Sequence, residues 1–239
     1  MKIIKEYLST IFLVLLVVIP IRTFAYNQYY VPSGSMVPTL LEGDHVGVTM
    51  FAYGFGSYAL PFDIPLWEGR FFAKDPKRGD IAVFQHPTDE RIDLIKRIIG
   101  LPGDKIQVIG GQLLINREPV PTKFLDGVDL AANSTIWRNN LKFSEEFFGG
   151  EMHYIADSGR SAFDNTPTFT VPAGHFFAMG DNRDRSNDSR SRTVGYVPMD
   201  NLIGRAEIIL ASRHDNRNWM NPLDWLSLFR GERFMTKLK

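Results

Sequence analysis

Cysteine is absent from the 239 residues, which removes disulfides, thiolate metal sites and a cysteine nucleophile together. Excess charge is also missing. With 27 basic and 27 acidic residues the formal net charge is +0, so no global field gathers nucleic acid, and none is expected as a partner. Internal repeats are lacking, and only one apolar run approaches the length of a membrane span. At 44% hydrophobic and 23% charged, the chain can still bury a core in one domain, or in a domain plus an insert. The nucleophiles left to consider are Ser, Thr and Lys.

The apolar run covers 7–21, behind Lys2 and Lys5 and ahead of Arg22. Extended to Tyr26 with Arg22 snorkelling outward, it reaches the roughly 20 residues a helix needs to cross about 30 Å of hydrocarbon. A cleavable signal peptide ending near Ala25 is the alternative. For an anchor, Pro20 sits near the outer end, Tyr26, Tyr29 and Tyr30 make an aromatic belt, and the lysines favour a cytoplasmic N-terminus. Residues 1–26 are thus expected to form a tip and one transmembrane helix.

Beyond it, strand-like runs recur between turn signals at 44–49, 80–85, 94–99, 106–109, 112–116, 175–179 and 202–210. The pattern predicts a mainly β, antiparallel domain. Gly110-Gly111 between two such runs predicts a type I′ hairpin, which needs positive φ at both turn residues. Residues 51–75 form a long aromatic loop whose rings cover a core or touch the membrane. Residues 105–172 read as a β-rich insert dividing the domain into 27–104 and 173–213. In 214–239, Trp219, Leu223, Trp225, Leu226, Phe229 and Phe234 interleave with Arg230, Arg233, Lys237 and Lys239. Such a segment suits a membrane surface, or packing on the domain.

Three clusters carry chemistry. In Pro32-Ser33-Gly34-Ser35-Met36-Val37-Pro38, prolines bracket a tight turn that projects the Ser35 hydroxyl from a rigid frame. Gly34 leaves room for a substrate backbone, and the Ser35 amide and Ser33 hydroxyl can donate into one small space. An ordinary surface turn has the same composition. None of the five histidines is arranged as an obvious base, so a lysine must serve if it is neutral at working pH. Lys96, flanked by Leu94, Ile95, Ile98 and Ile99, is the candidate, since desolvation depresses a buried lysine. Arg97 points to the other face of the strand. The third cluster, Gly180-Asp181-Asn182-Arg183-Asp184-Arg185-Ser186-Asn187-Asp188-Ser189-Arg190, is polar throughout, and Asp188 and Arg190 share a face on which they can pair. Its arginines offset the aspartates and no spaced glutamate follows, so no metal site is expected.

Taken in order, these clusters closely resemble the signature boxes of bacterial type I signal peptidases. The second box runs Lys96-Arg97-Ile98-Ile99-Gly100-Leu101-Pro102-Gly103-Asp104, and Gly195-Tyr196-Val197-Pro198 and Gly204-Arg205-Ala206 also look familial. The resemblance implies an antiparallel β catalytic domain with an inserted β-rich subdomain behind one transmembrane helix in the bacterial cytoplasmic membrane, with the domain outside. It implies Ser35 as nucleophile, Lys96 as its base, Ser33 as oxyanion donor and Ser186 as the hydroxyl orienting Lys96, with Gly34 and the Asp188–Arg190 pair in support. Tyr29, Val31, Met36, Leu40, Leu94 and Ile95 match its pocket walls, which accept small residues. Precursors bearing signal peptides and membrane lipid are the implied partners, and no cofactor is needed. The rival expectations are a Ser-Lys autoprotease of the repressor type and a membrane-tethered binding module.

Overall fold

The computed structural model describes residues 6–14, 16, 26–56, 69–125, 141–148, 150–214 and 229–238. The main sheet has eight strands. Its order is β1 (Tyr26–Tyr30), β2 (Asp44–Thr49), β14 (Leu202–Ser212), β3 (Ile81–Gln85), β4 (Asp93–Gly100), β12 (His175–Met179) and β13 (Val197–Pro198), with β15 (Thr236–Lys237) also paired to β14. Every ladder in it is antiparallel. The central strands β14, β3, β4 and β12 are rich in Val, Ile, Leu, Phe and Ala, residues suited to a pleated surface covered by packing.

Between β4 and β12 the chain leaves this sheet and makes two others. One contains β5 (Lys105–Ile109), β6 (Gln112–Ile115), β7 (Glu118–Pro119) and β11 (Phe169–Thr170); the other contains β8 (Thr122–Leu125), β9 (Lys142–Phe148) and β10 (Glu151–Asp157). The β5–β6 hairpin pairs Ile109 with Gln112, leaving Gly110 at φ 57° and Gly111 at φ 82° as its two-residue turn. These sheets are not a separate layer. Ile106, Val108, Leu113 and Val120 share a hydrophobic cluster with Ile99, Phe177 and Met179 of the main sheet. Phe143 and Ala156 pack with Val37 and Leu41, just beyond Ser35.

Several sequence expectations change. Tyr26 opens β1 opposite Thr49, and Tyr29 and Tyr30 face Val46 and His45 in the same ladder. The three tyrosines therefore belong to an edge strand rather than to a membrane segment, because β2 supplies hydrogen bonds along the whole of 26–30. Residues 6–14 and 16 are helical; the rest of the expected span lies outside the described residues. Among the described residues no helix is long and apolar enough to cross a membrane. Of the aromatic loop, 57–68 also lies outside them. Tyr53 is buried, Phe55 bridges to Phe71, and Arg70 bonds the carbonyls of Tyr53, Gly54, Met199 and Leu202. Trp219, Leu223, Trp225 and Leu226 lie outside the described residues. Arg230 is drawn into the fold by backbone carbonyls and Arg233 by Asp44 and the Thr39 carbonyl, while Phe229 and Phe234 are exposed.

Candidate active site

The turn that carries Ser35 is a short 3-10 helix, Gly34–Met36, entered from Ser33 in extended conformation. Such a first turn leaves its leading amides without helical acceptors, and the Ser35 amide is one of these. Met36, Val37, Leu40 and Leu41 are all buried, so apolar packing on the far side of the turn holds it from behind. Ser33 stays exposed at its mouth.

Lys96 comes from the middle of β4, opposite Ala82 of β3. Its Nζ is 2.7 Å from Ser35 Oγ and 3.0 Å from Ile95 O. Lys96 is 3% and Ser35 9% exposed. Burial pushes the lysine down to about 8, against the upward pull of Asp188 and Asp181. With the ammonium, Nζ donates to Oγ; once neutral, its lone pair can accept the serine proton instead. No histidine hydrogen-bonds Ser35 among the described residues.

The polar loop after β12 is part of the interior. Its Asp181, Asn182, Ser186 and Asp188 are all buried. Two backbone bonds dock it on β10: Ala156 N donates to Asp181 O at 2.8 Å, and Arg183 N to Ala156 O at 2.8 Å. Asp188 and Arg190 form a bidentate pair at 2.9 and 2.8 Å. Burial alone would raise the Asp188 carboxyl, but Arg190, together with the Gly180 amide and Ser186, holds it below the usual carboxylate range. Ser189 Oγ accepts Ala178 N at 3.0 Å, which ties the loop to β12.

Ser186 departs from its implied role. Its Oγ is buried beside Asp188 without a hydrogen bond of good geometry, and Lys96 is held by Ile95 O instead. Ser186 Oγ packs tightly against Gly180, where a Cβ would collide with both Ser186 Oγ and Ser35 O. Gly180 thereby leaves room for the loop to lie directly against the Ser35 carbonyl.

Three contacts escaped the sequence reading. Asn182 clamps the turn that carries Ser35, its Nδ2 donating to Gly34 O at 3.0 Å and its backbone N to Ser35 O at 3.1 Å. Arg97, 1% exposed, binds both oxygens of Asp181 at 2.8 Å. Burial tends to raise the Asp181 carboxyl, and the guanidinium more than reverses this. Behind them Arg183 grips Glu146 with both terminal nitrogens, and His153 Nε2 lies 3.2 Å from the same carboxylate. The unusual density of Asp and Arg in 181–190 was the available signal, since so many charges in a buried loop must be paired.

Of the pocket candidates, Val31, Met36, Leu40, Tyr29 and Ile95 belong to one cluster around Val46, Val48 and Val83. Leu94 packs in the neighbouring one, with Phe84 and Ile98. This split follows from strand alternation, which sends Leu94 and Ile95 to opposite faces.

A serine hydroxyl bonded to a buried, easily neutralised lysine on an antiparallel β frame is the arrangement a Ser-Lys hydrolase requires. Comparison with known proteins agrees in class. Residues 4–211 match the family described as signal peptidase, peptidase S26. The signal peptidase I of Rickettsia typhi is 38% identical over 87% of this chain and 80% of that protein, and that of Rickettsia akari 37% identical over 94% and 85%. A crystal structure of a signal peptidase I from Enterococcus faecalis is 29% identical, covering 55% of this chain and 97% of that one, with a TM-score of 0.33. The chain belongs to the peptidase S26 signal peptidase family and is a serine endopeptidase.

Proposed function

We propose that this endopeptidase removes signal peptides from secreted precursors by acyl transfer through Ser35, with Lys96 as the general base. The observation that carries the reading is the 2.7 Å bond between Lys96 Nζ and Ser35 Oγ in the buried interior. Neutral Lys96 takes the Ser35 proton as Oγ attacks the carbonyl carbon of the scissile bond. The developing oxyanion faces the Ser35 amide, with the Ser33 hydroxyl as second donor. Lys96 then returns its proton to the departing amine, which leaves Ser35 esterified. Water, deprotonated by Lys96, hydrolyses that ester. Tyr29 and Ile95, half-buried on the face that also carries Val31, Met36 and Leu40, line the approach and favour small residues before the cut, whereas Leu94 lies on the opposite face of β4.

Residues 1–25 serve as a single-pass anchor in the bacterial cytoplasmic membrane, with the β domain outside. The run 7–21 between basic flanks supports this. The test uses the full-length protein in detergent, incubated with a secretory precursor. Mass spectrometry should locate one new N-terminus after a small residue, and Ser35→Ala should give none. If the chain cleaved only itself, or if Ser35→Ala kept more than a few per cent of activity, the proposal would fail. Protease added outside intact spheroplasts should digest the β domain; protection until lysis would reverse the topology.

A further inference from the structure

Residues 229–238 return to the back of the segment that carries Ser35, and they lie beyond the stretch 4–211 matched by the family. β15 pairs with Ile208 and Ile209 of β14. Arg230, 2% exposed, sends its backbone N to Ser212 O at 2.9 Å and its Nη1 to Glu42 O at 2.8 Å, Ser212 Oγ at 2.9 Å and Arg213 O at 3.0 Å. Arg233 takes both oxygens of Asp44, at 3.2 and 2.6 Å, and its Nη2 also donates to Thr39 O at 2.9 Å. Asp44 is fully buried, and its Oδ2 accepts Leu41 N at 2.8 Å.

Thr39 is therefore held from two sides. Its carbonyl is bound by Arg233, and its hydroxyl donates to Asp181 Oδ2 at 2.5 Å. The next residue, Leu40, donates its N to Met36 O at 2.9 Å, closing the turn on the residue after Ser35. Cations desolvated to bind carbonyls are costly unless every bond is made. Here those bonds fix the direction of the chain between Ser35 and Asp44. Removing Arg233 would free the Thr39 carbonyl without deleting either hydrogen-bond partner of Lys96.

We propose that the C-terminal strap is a positioning element for the nucleophile, with Arg233 acting on Ser35 through Thr39 and Asp44. The idea rests on Ser35 being the nucleophile. The test uses full-length protein carrying Arg233→Met, Arg233→Lys, or the pair Asp44→Asn with Arg233→Met. The pair leaves no stranded carboxylate, while Asn still offers an oxygen to Leu41 N, so it decides the matter if Arg233→Met alone does not fold. Misplacement by about 1 Å costs on the order of 100-fold in rate. The pair should therefore lower kcat by about 10- to 100-fold, with KM within about twofold and Tm within a few degrees; Arg233→Lys should recover part of the loss. Amide exchange over 35–41 should quicken in the pair while the β5–β6 hairpin stays as protected as before. Wild-type kcat together with unchanged exchange in the pair would overturn the proposal, as would a kcat loss accounted for entirely by lost stability. If the unaltered protein cleaves no precursor, the nucleophile assignment fails, and exchange at 35–41 alone still decides whether the strap orders that segment.

Discussion

Lys96→Met separates the cost of the base from its use. Burial takes the lysine from its ordinary 10.5 to about 8, which corresponds to about 3 kcal/mol against the charged form in the folded protein. The folded pKa lies below the unfolded one, so the unfolded chain binds the extra proton. Stability lost to Lys96 is thus fully felt below pH 8 and recovered as pH rises toward 10.5. Methionine fills nearly the same volume without a charge. It forfeits the bonds to Ser35 Oγ and Ile95 O, together worth about 1 kcal/mol or somewhat more. The net gain at pH 7 should be about 2 kcal/mol, or roughly 4–8 °C in Tm for a chain of this size. It should shrink to nothing or reverse by pH 10.5, and activity should be abolished throughout. In the unaltered enzyme kcat/KM should fall as pH drops through 8, to about one-tenth of its plateau at pH 7 and about one-hundredth at pH 6. Thermal melts from pH 6 to 10.5 and a pH–rate profile check both halves. An acid limb above pH 10, or a stability gain equal at pH 7 and pH 10.5, would refute the reasoning.

Gly180→Ala should lower activity more than about 100-fold and destabilise by about 1–3 kcal/mol, since the new methyl meets Ser35 O and Ser186 Oγ; kcat and melting temperature measured together test this. Ser186→Ala should cost less than about tenfold in kcat, because Ile95 O already orients Lys96; a 100-fold loss would mean that the Ser186 hydroxyl swings onto the amine during turnover. Ser35→Ala should leave Tm within a few degrees while removing precursor cleavage, which mass spectrometry of the products reads directly.

The sequence alone determined what local pattern can determine. The runs 44–49 and 175–179 coincide with β2 and β12, and the remaining predicted runs overlap strands with ends shifted by one or two residues. The hairpin at Gly110-Gly111 followed from two adjacent residues free to take positive φ, and the apolar neighbours of Lys96 foretold its burial. Tyr26, Tyr29 and Tyr30 were misread because an aromatic run has the same composition at a membrane interface and in an edge strand, and only pairing with β2 distinguishes them. Contacts between distant segments were not legible. Arg97 meets Asp181 across 84 residues, Thr39 meets Asp181 across 142, Asn182 meets Gly34 across 148, and Arg233 meets Thr39 across 194. No spacing rule encodes such pairs, because sheet order sets them: β14 runs between β2 and β3, and β12 lies beside β4. The sequence therefore determined which residues could do the chemistry, and the tertiary structure decided what holds them. A buried polar group takes whichever partner the packed sheets bring within hydrogen-bond reach.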